Sequence, residues 1–222
     1  MIVGNTVENA CYNGIAVGGW ANENGGADMA VTGNTVRTYG NCGIWISYAP
    51  STVTVTGNTI DNPGQYRGAV DEPTDIECGG IMVRGNPDTN PAAYTAHTSG
   101  LLVSDNLIRS GTRFGIMFSG LDYGVIADNV ILDTGTHYFA NGTTPVSSTD
   151  ATNNIGILCD YPATVTSVIV RDNVVIDTRG TPYTNYEFAP AAPIPQNVSV
   201  RNTTAVSCGT TRSHPCSWAA TR

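Results

Sequence analysis

Apolar and polar residues alternate along this chain in short runs, without the three-to-four spacing of a helical face, and the runs recur in a fixed order. Residues 101–118, LLVSDNLIRSGTRFGIMF, show the unit at its most compact. A V-x-[D/G]-N-x-[V/I] element at 103–108 is followed, nine residues after its Asn, by Gly115-Ile116-Met117-Phe118. The first element returns at 2–7, 31–36, 55–60, 126–131 and 170–175, with a degraded copy at Val200-Arg201-Asn202. The second returns as Gly14-Ile15-Ala16-Val17, Gly43-Ile44-Trp45-Ile46, Gly80-Ile81-Met82-Val83 and Gly156-Ile157-Leu158-Cys159. Such a repeat, near 23 residues at its tightest, predicts a solenoid of parallel strands, two short strands per coil and roughly seven coils.

The repeated Asn has a structural reading. After Gly or Asp it suits a tight bend with one left-handed residue, and in register it stacks as a hydrogen-bonded ladder of Asn5, Asn34, Asn58, Asn106, Asn129 and Asn173. In the Gly-Ile strand, period-two alternation sends the Ile and the residue two later inward. The Gly and the residues two and four after it then face outward. That predicts an apolar outward stripe of Ala16, Trp45, Met82, Met117 and Leu158, beside a polar row of Gly18, Ser47, Arg84, Ser119 and Asp160.

Long insertions interrupt the third coil on both sides of Gly80 and the fifth coil before Gly156. A Pro-rich segment after the sixth coil cannot continue a sheet and is expected to pack across the outside. Cys208 and Cys216 enclose a short loop near the end of the chain and are read as a disulfide closing the last coil. Cys159, at an inward strand position, is expected to be a buried thiol and not a nucleophile.

With 222 residues the chain is read as one domain over 1–222, or as a piece of a longer solenoid, since its first coil starts at Ile2 without a cap and leaves an end open to self-association. The net charge of −8 argues against nucleic acid and anionic membrane surfaces, and the absence of lysine excludes Schiff-base chemistry. No apolar run is long enough for a transmembrane helix. The cysteines and the sequons at Asn141 and Asn197 favour an extracellular location.

The V-x-G-N-x-[V/I] and G-I-x-[V/I] pair resembles the right-handed parallel β-helix repeat of pectate lyases, polygalacturonases, alginate lyases and epimerases, and phage tailspikes. The resemblance covers nearly the whole chain. It implies an all-β, right-handed parallel β-helix, and a polysaccharide or oligosaccharide lying along one strand face between long loops. It speaks for the fold more specifically than for any activity, because function on such scaffolds resides in the loops.

Register and loop placement direct attention to coils three to five. Glu77 and Asp160 are the acid and base candidates, with Arg84 and Arg113 placed to hold substrate charge or orient those carboxylates. Trp45 is the candidate sugar platform, and His97, His137, Tyr94 and Tyr161 are further substrate-binding candidates. Asp71, Glu72 and Asp75 offer hard oxygen ligands for calcium, although no cofactor is required. The acidic balance favours a glycoside hydrolase; a polysaccharide lyase or uronate epimerase, or a non-catalytic carbohydrate-binding or assembly module, are the alternatives.

Overall fold

The computed structural model describes residues 1–18, 28–47, 52–62, 79–84, 98–110, 114–134, 155–159, 165–177, 184–188, 198–201, 204–207 and 217–220. Its strands recur in threes. The first coil carries β1 (Ile2–Val3), β2 (Thr6–Ala10) and β3 (Ile15–Gly18), and the second β4 (Met29–Thr32), β5 (Thr35–Tyr39) and β6 (Cys42–Ser47). Then come β7 (Val53–Thr56), β8 (Thr59–Asp61) and β9 (Gly79–Arg84), followed by β10 (Leu101–Ser104), β11 (Leu107–Arg109) and β12 (Phe114–Ser119). After these lie β13 (Gly124–Ala127), β14 (Val130–Leu132) and β15 (Ile155–Cys159), then β16 (Val168–Arg171), β17 (Val174–Asp177) and β18 (Thr184–Phe188). The last elements are β19 (Val198–Arg201), β20 (Thr204–Ser207) and β21 (Ser217–Ala220).

Corresponding strands of successive coils stack in parallel, which makes the chain a parallel β-helix. Sheet A has the order β1-β4-β7-β10-β13-β16-β19, sheet B the order β2-β5-β8-β11-β14-β17-β20-β21, and sheet C the order β18-β15-β12-β9-β6-β3. Among the described strands only β21 runs antiparallel, along β20. Among the described residues each of the first six coils thus has three stacked strands and not the expected two, because the [D/G]-N bend splits the first element between sheets A and B.

The split has a local cause. The residue before each ladder Asn is left-handed: Gly4, Gly33 and Gly57 have φ of 64–66°, and Asp105, Asp128 and Asp172 have φ of 54–59°. Glycine adopts this conformation without a Cβ penalty, and aspartate is among the few other residues that tolerate it. The Asn that follows fixes the corner. Asn34, Asn58, Asn106, Asn129 and Asn173 are buried, and each donates from Nδ2 to a carbonyl of the preceding coil, as Asn106 does to Val55 O at 2.9 Å. From Asn5 to Asn129, each also donates from Nδ2 to the Oδ1 of the next rung at 2.8–3.0 Å. Each of those Oδ1 atoms accepts a second bond, from the backbone N–H of the rung before it. A primary amide has two donors and two lone pairs, so these interior rungs are satisfied without water.

Inside, β-branched residues stack in columns: Val31, Val55, Val103, Ile126 and Val170 from sheet A, and Val36, Ile60, Ile108, Ile131 and Val175 from sheet B. Ile44, Ile81, Ile116 and Ile157 close the column from sheet C, and Cys159 is buried beside Phe118 as expected. Each such side chain contributes roughly 1.5–3 kcal/mol when fully buried, as an upper bound.

The glycine of the Gly-Ile strand corrects the alternation expected from sequence, because it faces inward along with the Ile. A Cβ on Gly80 would lie 2.5 Å from Ile108 Cγ2 and 2.6 Å from the Gly115 carbonyl oxygen of the next coil. Gly115 meets Ile131 and the Gly156 carbonyl in the same way. The chain turns into sheet C at this point, and the corner leaves no volume for a side chain.

On the outside of sheet B, Glu8, Arg37, Asp61 and Arg109 occupy one register across four strands, so that the signs alternate. The row turns apolar at Leu132 and Ile176. Among the described residues no helix is long and apolar enough to cross a membrane.

Candidate functional site

Sheet C carries the face singled out from the sequence. Register places Ala16, Trp45, Met82, Met117 and Leu158 in one line across β3, β6, β9, β12 and β15. Gly18, Ser47, Arg84 and Ser119 form a second line two residues further on. The stripe packs as a cluster separate from the interior core: Cys42, Met82, Phe114 and Met117 are buried in it, with Trp45 and Leu158 partly buried against them.

The face is less open than a groove running its whole length would be. Ala16 and Gly18 are exposed, but Met82, Met117, Ser47 and Ser119 are fully buried, and Arg84 retains 5% of its exposure. Solvent reaches the stripe at its margins, at half-buried Trp45 and Leu158. Period-two alternation correctly assigned these side chains to the outside of the sheet. It carries no information about what covers them, which is set by contacts remote in sequence.

Buried polar atoms without a hydrogen-bond partner collect here. Trp45 Nε1, Ser47 Oγ and Ser119 Oγ belong to the face itself, while both side-chain atoms of Asn41 stand immediately before β6. Thr98 Oγ1 lies on the short bridge Thr98–Leu121 that follows sheet C. In protein interiors such groups nearly always find partners, and leaving one unmet costs about 1–3 kcal/mol. Ser47 and Ser119 flank Arg84 in register, so the C-terminal end of these strands gathers buried polar groups, while Asn41 stands at the opposite end of β6. Asn41 and Thr98 were not singled out from the sequence, since each lies outside the strand whose alternation was counted.

Of the site residues expected from sequence, Trp45 and Arg84 fall within the described part, and the structure brings them to the same face on adjacent strands. Glu77, Asp160, Arg113, His97, His137, Tyr94 and Tyr161 lie outside the described residues, as do the calcium candidates Asp71, Glu72 and Asp75 and the cysteines Cys208 and Cys216. Among the described residues no group of three or more His, Cys, Asp or Glu side chains is arranged to hold a metal. A further charged cluster lies exposed at the end of a sheet A strand: Arg171 Nη1 lies 2.6 Å from Asp172 Oδ2 and 3.6 Å from Asp128 Oδ2. The hydrogen bond to Asp172, with the Asp128 charge behind it, raises the Arg171 pKa further above its already high value. Such exposed pairs contribute little to stability.

The model of the right-handed beta helix region matches residues 1–210, and the chain belongs to that family. This gives the hand of the solenoid. No curated protein and no solved structure gives a significant match.

Proposed function

We propose that this protein is an extracellular carbohydrate-active protein that binds a polysaccharide or oligosaccharide over the outer face of sheet C, and that it is a glycoside hydrolase. The observation that carries this reading is the set of unmet buried polar groups around Trp45 and Arg84. A sugar offers what these groups lack: hydroxyls that donate and accept at short intervals, and an apolar ring face that stacks on an indole. Trp45, half-buried at the margin of the stripe, is the platform. Glu77 and Asp160 are the acid and base in this proposal, with Arg84 and Arg113 orienting them and His97, His137, Tyr94 and Tyr161 as further contacts from the loops.

Buried Arg84, flanked in register by Ser47 and Ser119, favours a second reading, in which the sugar carries a carboxylate and the reaction is lyase elimination. A screen of neutral glucans and xylans against pectate and alginate separates the two. New reducing ends without absorbance from an unsaturated product support the hydrolase; absorbance from an unsaturated uronate supports the lyase. If no polymer is cleaved, and titration with each leaves Trp45 fluorescence unchanged, the carbohydrate assignment is wrong.

A further inference from the structure

The outer face of sheet A changes character along the solenoid. The alternation that buries the interior valines of this sheet turns Ala30, Thr54, Leu102, Val125, Ile169 and Ser199 outward in one line from β4 to β19. A second outward line, two residues further on, holds Thr32, Thr56, Ser104, Ala127, Arg171 and Arg201. Coils two and three carry only threonine and alanine in these lines. In coils four to six the first line is apolar, and Leu102 and Ile169 keep 38% and 41% of their exposure, with Val125 half-buried between them. Exposed apolar residues scattered singly are ordinary, but three in register on adjacent strands form a contiguous strip.

The two lines complement themselves when one is reversed. The apolar strip is centred on Val125, and one coil beyond it on each side stands a hydroxyl residue, Thr54 in coil three and Ser199 in coil seven. The second line is centred on Ala127. Its long side chains, Arg171 and Arg201, lie toward one end, and its short ones, Ser104 and Thr56, toward the other. A spare negative charge lies at the short end: Asp105 follows Ser104, is exposed and makes no ion pair among the described residues, whereas Asp128 and Asp172 are held by Arg171.

We propose that the outer face of sheet A in coils three to seven is a contact surface for a second copy of this chain, related to the first by a two-fold axis beside Val125 that runs along the strands. That operation keeps the strand direction and reverses the solenoid axis. It sets Leu102 against Ile169 of the second copy, Val125 against its own equivalent, and Thr54 against Ser199. The long Arg171 then lies over the short Ser104, with the carboxylate of Asp105 in reach, and Arg201 lies over Thr56. Asp128 falls near the axis opposite its own equivalent, but each is already held by Arg171 at 3.6 Å. An apolar centre inside a polar rim is the ordinary anatomy of an interface, and two sheet faces with nearly aligned strands are an established way to pack.

The size of the face sets the strength. The strands of coils three to seven, about 4.8 Å apart, and a width of about five residues at roughly 3.3 Å each give on the order of 400 Å² per copy. That is below the standard size of a permanent complex, so the pair is a reversible one with a dissociation constant on the order of 100 µM. The surface belongs to a different sheet from the outer face of sheet C, so its test does not depend on any carbohydrate.

Sedimentation equilibrium of the full chain from about 5 to about 500 µM should show a reversible monomer–dimer transition. Leu102→Glu and Ile169→Lys, each alone, should weaken it at least about tenfold, because each buries two unpaired charges in the homodimer. An equimolar mixture of the two variants should dimerise within about threefold of wild type, since the mixed pair sets the introduced glutamate against the introduced lysine and keeps one native Leu102–Ile169 contact. If either charged variant loses its β-sheet circular dichroism, Val125→Thr, which keeps the β-branch, takes its place and should weaken the dimer at least about threefold. A chain that stays monomeric at about 500 µM leaves the face to another occupant and overturns the proposal. So does a dimer that none of these substitutions weakens, or a mixture no tighter than the separate variants.

Discussion

Replacing Asn106 by Ala removes an interior rung of the ladder and should be among the most damaging single changes in the scaffold. Asn106 makes four side-chain hydrogen bonds: Nδ2 donates to Asn129 Oδ1 and Val55 O, and Oδ1 accepts from Asn58 N and Asn58 Nδ2. Its partners do not fare alike. Asn129 Oδ1 keeps the bond from Asn106 N, and Asn58 Nδ2 keeps Val31 O and Thr56 O, but the buried Asn58 N–H is left without an acceptor. A hydrogen bond contributes about 1 kcal/mol net, and a buried orphan costs roughly 1–3 kcal/mol, so the loss should be about 4 kcal/mol. Asn5→Ala is the matched control, because that rung is exposed and Asn34 Oδ1 keeps the bond from Asn5 N; its cost should be about 1 kcal/mol or less. Urea denaturation at constant m measures both, and exchange at the Asn58 amide reports whether the damage is local. Equal costs at the two positions, or a loss below about 1 kcal/mol at 106, would refute the claim that burial gives the ladder its strength.

Other changes probe other parts of the same construction. Gly80→Ala should cost about 1–3 kcal/mol, because its methyl group meets the Gly115 carbonyl, which is backbone and cannot rotate away; a neutral result in urea would mean that the corner yields. Ser119→Ala should leave the unliganded chain within about 1 kcal/mol of wild type, since the buried Oγ has no partner, yet weaken binding of whichever sugar the screen identifies; equal affinity for that sugar would count against the site. Asn106→Asp puts a carboxyl against two acceptors, Asn129 Oδ1 and Val55 O, so only its protonated form fits and its folded pKa rises. The unfolded carboxyl ionises from about pH 4, so the variant should lose stability as pH rises from there toward the folded pKa; denaturation midpoints that stay parallel to wild type from pH 4 to pH 7 would contradict this. Peptide mapping without reduction should recover Cys208 and Cys216 linked, and recovery of both as alkylated thiols would disprove the pairing.

The scaffold was legible in the sequence to the extent that it depends on neighbours along the chain. A left-handed residue before each Asn, the stacked amides and the burial of Cys159 all follow from local chemistry repeated in register. The third strand per coil was missed because V-x-[D/G]-N-x-[V/I] reads as one apolar run until the left-handed residue is seen to turn it through a corner. The glycine of Gly-Ile was assigned to the wrong face for a related reason: period two holds along a strand but not across the bend at which that strand begins. The candidate site was less legible. Trp45 and Arg84 were placed on one face by counting, but the burial of Met82 and Ser119 and the unmet atoms of Asn41 and Thr98 depend on what lies against them in three dimensions.

Successive rungs of the ladder meet at nearly the same distance whatever length of chain runs between them. The interval is 24 residues from Asn34 to Asn58, 48 from Asn58 to Asn106, 23 to Asn129 and 44 to Asn173, while Nδ2 to Oδ1 stays between 2.8 and 3.0 Å. Closing a loop twice as long costs only about 0.6 kcal/mol more, less than one net hydrogen bond, so a coil can lengthen its excursion without losing its place in the stack. Loop length and scaffold geometry are thereby nearly independent variables. Lengthening residues 111–113, in the tightest coil, is the direct way to install a new excursion while leaving the rungs on either side where they are.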